Sequence, residues 1–136
     1  MRTFNIFFDE TGDNGLDFSK QNTRIYYTIA AIVVLQENLP LINAGLDKIS
    51  RTKFGGGLIR SKNVADNHQR RRAILKELIK LDWTGYVLAV NKSLLLSPGY
   101  SFVQSFYKHI NNKIYSYMLK AFPNSLLLAD QHGSQE

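Results

Sequence analysis

The order strand, strand, two helices, strand, helix, strand predicts an α/β fold in which helices cover a mixed sheet. Three observations carry that expectation. Short runs of β-branched and aromatic residues alternate with segments of helical periodicity. The longest helical segment stands directly before the final strand, and a crossover of that length makes the final strand parallel to a neighbour through a right-handed connection. Finally, 136 residues, 44% of them hydrophobic and none of them cysteine, suffice for a core without disulfides or a structural metal. One domain over residues 1–136 is expected.

Phe4 to Asp9 forms the first expected strand, ended by the turn chemistry of Glu10-Thr11-Gly12-Asp13-Asn14-Gly15. Arg24 to Val34 is the second. It is apolar on both faces from Ile29 on, as an interior strand covered by helices would be, and it pairs with the first as an antiparallel hairpin. Gln36-Glu37-Asn38 opens a helix that tolerates Pro40 in its first turn and repeats Leu39, Ile42, Leu46 and Ile49 until Phe54-Gly55-Gly56-Gly57 breaks it. A second helix follows Asp66, which with Gln69 resembles a capping box, and extends to about Leu81. Its arc of Ile74, Leu75, Leu78 and Ile79 is distinct from a basic stripe of Arg72, Lys76 and Lys80. Trp83 to Asn91 is the third strand. Ser97-Pro98-Gly99 separates it from a helix over Ser101 to Phe122, and Ser125 to Asp130 is the last strand.

Composition removes several function classes. Without cysteine there is no thiolate zinc site, thiol nucleophile or redox pair. The longest apolar run, Ile29 to Leu35, is far below the roughly 20 residues of a bilayer span, and the N-terminus lacks a signal-peptide apolar region, so a cytoplasmic protein with no membrane partner is expected. Charge is unevenly distributed. Residues 48–80 carry ten basic side chains and two acidic ones, whereas the first seventeen residues carry Arg2 against Asp9, Glu10, Asp13 and Asp17. An acidic head followed by a basic middle suits a polyanion handled through a divalent cation, or else is a solvated helix face.

The first and last expected strands both end on aspartate. If they are parallel neighbours, Asp9 and Asp130 emerge side by side at the carboxyl edge of the sheet, where open α/β sheets bind ligands. Two adjacent carboxylates repel unless a cation lies between them, which makes such a pair a site for Mg²⁺ or Mn²⁺. Glu10, Asp13, His132 and Glu136 are the further candidate ligands, and strand-end turns are the alternative role for both aspartates. Other motifs fit poorly. An EF-hand loop from Asp9 would need glycine where Asn14 stands and glutamate where Lys20 stands. An Asp-x-Asp phosphatase motif fails at Thr11, Gly55-Gly56-Gly57 lacks Walker A spacing, and His68, His109 and His132 have no Gly-x-Ser-x-Gly elbow beside them.

Phe7-Phe8-Asp9-Glu10-Thr11-Gly12-Asp13-Asn14-Gly15 resembles the opening of the bacterial and phage "domain of unknown function 3800" family. Ile59-Arg60-Ser61-Lys62 resembles its Lys-Ser-type segment, and Leu126-Leu127-Leu128-Ala129-Asp130 its late strand. That family is similar to ribonuclease H-like proteins. The resemblance implies Asp9 and Asp130 as metal ligands, Glu10 or Asp13 as auxiliary groups and Lys62 as a phosphate contact. Ribonuclease H-like domains continue past the fourth strand, whereas this chain stops six residues after Asp130, so a shortened domain completed by another chain is expected. Its apolar final strand would then be the edge through which a homo-oligomer forms.

Two functions follow as expectations. In the first, a nuclease hydrolyses phosphodiesters with Mg²⁺ or Mn²⁺ held by Asp9, Asp130 and Asp13, with Asp9, Asp130 and Glu10 as the catalytic carboxylates. In the second, a noncatalytic module of the same fold binds nucleic acid or protein. In both, Lys62, Arg70, Arg71, Arg72, Lys76 and Lys80 contact phosphates.

Overall fold

A computed structural model describes residues 2–13, 15–95 and 103–129, with 103–105 described by backbone alone. Four strands, β1 (Phe4–Thr11), β2 (Tyr26–Leu35), β3 (Thr84–Asn91) and β4 (Ser125–Ala129), form one sheet in the order β3-β2-β1-β4. β1 and β4 are parallel, with Phe4 opposite Ser125 and Phe8 opposite Ala129, and the remaining pairings are antiparallel. The crossover between them contains α3 (Val103–Ala121), while α1 (Leu39–Phe54) and α2 (His68–Leu78) stand between β2 and β3. The mixed α/β sheet expected from the element order is therefore present. The expected strand end at Asp130 lies outside the described residues.

The chain divides into two compact units, residues 1–33 with 85–136, and residues 34–84. This differs from a single-core reading, and the packing explains it. In the sheet unit, Ile6, Phe8, Tyr27, Ile29, Ala31 and Val33 pack with Phe106, Ile110, Ile114 and Met118 of α3. In the helical unit, Ile49, Val64 and Ile74 form a separate small core with Phe54, Ile59, Leu78 and Leu81 around them. Each set buries its own apolar face, so each unit has its own hydrophobic driving force.

The two faces of β2 correct one expectation. Tyr27, Ile29, Ala31 and Val33 are buried, but Tyr26, Ala30 and Ile32 are exposed. An apolar run is not by itself a strand covered twice. Helix α3 packs on one side of the pleat, and Phe7 of β1 and Leu126 and Leu128 of β4 are exposed like Ile32.

Element ends follow local chemistry. β1 continues through Asp9 and Glu10 to Thr11, two residues past the expected turn, because pairing with β2 and β4 overrides the turn propensity of this stretch. A 3₁₀ turn at Gln36–Asn38 leads into α1, and Pro40 sits in the first turn, where no intrahelical N–H bond is lost. Gly55, left-handed at φ 58°, closes α1 by donating its N–H to Ser50 O. The cap of α2 is Asn67, not Asp66: its side chain accepts the Arg70 N–H at 2.8 Å. α2 ends at Leu78, earlier than its periodicity suggests, and the Trp83 indole N–H donates to Leu78 O at 2.8 Å, satisfying one terminal carbonyl.

Candidate functional site

The carboxyl end of β1 carries the acidic residues singled out in the sequence, and the pleat separates them. Phe8 is buried, Asp9 exposed and Glu10 half-buried. Successive strand residues point to opposite faces, so Asp9 shares the open face with Phe7, and Glu10 shares the α3 face with Ile6 and Phe8. On that side the Glu10 charge acts on three phenols. Burial first, and then the Glu10 carboxylate, push the hydroxyls of Tyr27, Tyr107 and Tyr115 above the ordinary tyrosine range. These hydroxyls stay protonated and donate hydrogen bonds. Asp9 and Glu10 thus occupy two chemically different places, one open and one lined by tyrosines.

Asp13 has a third place. After Gly12, whose φ of 113° only glycine adopts comfortably, its carboxylate accepts the Gly15 N–H at 2.8 Å on Oδ1 and the Arg24 N–H at 2.6 Å on Oδ2. The Lys92 ammonium donates to Asp13 O at 2.8 Å, Gly15 O at 2.7 Å and Asp13 Oδ1 at 3.2 Å. Its side chain is 0% exposed. The Lys92 backbone N–H in turn donates to Ile25 O at 2.8 Å, so the end of β3 and both ends of the β1–β2 loop are tied together. The backbone N–H of Arg24, then the Lys92 and Gly15 donors, hold the Asp13 carboxyl at about 2. A carboxylate engaged on both oxygens by its own loop acts as a loop anchor.

Lys92 is the residue that sequence reasoning missed. Its one signal is a lysine immediately after an uncharged strand, which by itself looks like an ordinary solvated strand end.

The basic candidates lie in the helical unit, where they divide into two groups. Arg70 and Arg71 bond inward: Arg70 donates to Lys53 O at 2.6 Å and Asn63 O at 3.3 Å and lies over the Phe54 ring, and Arg71 donates to Ala65 O at 2.6 Å and Ser61 Oγ at 2.8 Å. These guanidiniums fasten the 58–67 segment to α2. Lys62, Arg72 and Lys76 are exposed. His68, Gln69, Arg72, Ala73 and Lys76 border a depression of about 360 Å³ along α2. Lys80 pairs with Glu77 at 2.7 Å, and that hydrogen bond, followed by the charges of Lys53 and Lys48, lowers the Glu77 carboxyl. The surface of α2 therefore faces a local excess of positive charge.

Among the described residues no three His, Asp or Glu side chains converge as a cation site. Asp9 is the exposed carboxylate at the β1 terminus, while Glu10 and Asp13 are directed elsewhere. Asp130, His132 and Glu136 lie outside the described residues. No described helix is long and apolar enough to cross a membrane. The chain matches no protein-family model, no curated protein and no solved structure in the comparisons made.

Proposed function

We propose that the protein is a ribonuclease H-like, divalent-cation-dependent nuclease that acts on phosphodiesters at the carboxyl edge of its sheet. The observation that supports this reading is the parallel register of β1 and β4, which runs to Phe8 opposite Ala129. The next residues in the two sequences are Asp9 and Asp130. Residues paired in a parallel ladder share a face, so continuing the register by one residue would pair the two carboxylates on the open face. Asp9 and Asp130 would hold Mg²⁺ or Mn²⁺, whose chemistry is to polarise the phosphoryl oxygen and lower the pKa of water. Asp13 and Lys92 hold the adjoining loop, Glu10 supports the tyrosine-lined side of β1, and exposed Lys62, Arg72 and Lys76 contact phosphates.

The test is cleavage of mixed single- and double-stranded oligonucleotides with Mn²⁺, alongside Asp9→Asn and a chelator control. Cleavage abolished by both supports the proposal. Cleavage surviving in Asp9→Asn removes Asp9 from the mechanism.

A second reading, noncatalytic binding of nucleic acid, is favoured by the helical unit. Residues 34–84 contain ten basic and five acidic side chains. It predicts oligonucleotide binding that weakens steeply with salt and is lost in Arg72→Glu/Lys76→Glu, without cleavage.

Self-association through β4 belongs to either reading. β4 has a described neighbour on one side only, contains no charged residue and exposes Leu126 and Leu128. Light scattering at micromolar concentration should show a dimer or larger assembly that Leu126→Lys dissociates.

A further inference from the structure

We propose that the β3 edge and the neighbouring flank of α3 form a docking groove for an extended segment of another protein, one that places an apolar residue between two acidic ones. The groove measures about 380 Å³. Tyr86, Val87 and Leu88 form its strand wall, Ile114, Tyr117 and Met118 its helix wall, and Lys113 stands at the rim. Two of these residues are far more exposed than a packed face requires, Val87 at 70% and Tyr117 at 60%. β3 has a described partner, β2, on one side only, and its sequence Thr-Gly-Tyr-Val-Leu-Ala-Val-Asn contains no charge or proline to discourage a further strand. An extended segment alongside it would gain main-chain hydrogen bonds from the strand edge and would drop alternate side chains into the groove.

Charge decides which segment fits. α3 contains Lys108, His109, Lys113 and Lys120 and no acidic residue. Lys113, Tyr117 and Lys120 follow the i, i+4, i+7 spacing, so an exposed tyrosine is bracketed by two exposed lysines on one helical face. Seven residues of helix advance about 10.5 Å. Positions i and i+4 of an extended chain are about 13 Å apart and point to the same side. A strand with acids at i and i+4 and an apolar residue at i+2 therefore matches the lysine–tyrosine–lysine row, while i+1 and i+3 fall on the open sheet face beside Val87. A second copy joined through the same edge would instead set two acid-free basic helices side by side. Like-charge repulsion disfavours that occupant.

The probe is a fluorescein-labelled peptide with the core Glu-Val-Leu-Val-Glu, compared with Lys-Val-Leu-Val-Lys by fluorescence anisotropy on the intact protein. The acidic peptide should bind at least about tenfold more tightly. Lys113→Glu/Lys120→Glu should reverse the preference, with an unchanged circular dichroism spectrum showing that the variant is folded. Tyr117→Lys should weaken the acidic peptide's binding. Equal binding of the two peptides, no binding of the acidic one at about 1 mM, or a preference unchanged by the charge reversal would overturn the proposal. So would a dimer that Val87→Lys dissociates and Leu126→Lys does not, because the edge would then belong to a second copy. None of these outcomes depends on cleavage or on a cation.

Discussion

The Lys92 ammonium lies 3.2 Å from the Asp13 carboxylate and within 2.8 Å of two main-chain carbonyls of the same loop. All its donors are used, which is why a lysine can be enclosed beside the sheet without losing its charge. Replacing it with methionine keeps the apolar stem but leaves two carbonyls and a carboxylate short of donors. Lys92→Met should lower the stability of the protein by about 3 kcal/mol, measured from urea unfolding midpoints at constant m-value. A midpoint within error of wild type would mean that the loop is held by its backbone contacts alone.

The same contact has an acid limb. The Asp13 carboxyl is held at about 2 by the Arg24 N–H, Lys92 and the Gly15 N–H, against a value of 3.8 for the unperturbed group. The folded state therefore binds this proton less readily than the unfolded one. Its stabilising effect is complete above about pH 4 and is lost as pH falls through about 2. Circular dichroism during acid titration should show Asp13→Asn less stable than wild type at neutral pH and less sensitive to pH between 4 and 2.

Two glycines with positive φ should respond differently to alanine. At Gly12, with φ 113°, a Cβ would lie 2.8 Å from the carbonyl oxygen of Tyr26, a backbone atom that cannot swing aside. At Gly55, with φ 58°, a Cβ would meet nothing within 4 Å. Gly55→Ala should cost about 1 kcal/mol, the conformational term alone. Gly12→Ala should cost more, roughly 2–4 kcal/mol, since close contact with backbone is added. Thermal unfolding of the pair gives the comparison, and equal losses would indicate that the β1–β2 loop can move away from Tyr26.

Asn5 is buried on β1, and its amide nitrogen has no partner. An unsatisfied buried donor costs roughly 1–3 kcal/mol. Asn5→Val, which also suits a strand, should raise the melting temperature or leave it unchanged, whereas most buried polar-to-apolar changes that break a bond lower it. A clear fall would show that the Asn5 carbonyl group contributes more than the amide nitrogen costs.

Much of the architecture was legible in residue order. β-branched runs, helical spacing and the long crossover before Ser125 identify the elements and anticipate the parallel pairing of β1 with β4, because local sterics and the handedness of the chain leave few alternatives. Boundaries were less legible. Asn67 and Asp66 are equally good caps by residue type, and only the path of the backbone decides that Asn67 reaches the Arg70 N–H.

The composition and order of this chain by themselves determine its strands, its helices, the acidic character of the β1 terminus and the basic character of residues 48–80. Tertiary structure alone decides what each charge does. Pairing extends β1 through Glu10 and so assigns Asp9 and Glu10 to opposite faces, loop closure directs both Asp13 oxygens inward, and packing turns Arg70 and Arg71 toward backbone carbonyls while Arg72 and Lys76 remain exposed. The physical reason is that a side chain's charge is a property of its residue, whereas its partners depend on which distant segments arrive beside it. Lys92 illustrates this most directly, since the groups that accept its hydrogen bonds lie more than seventy residues away.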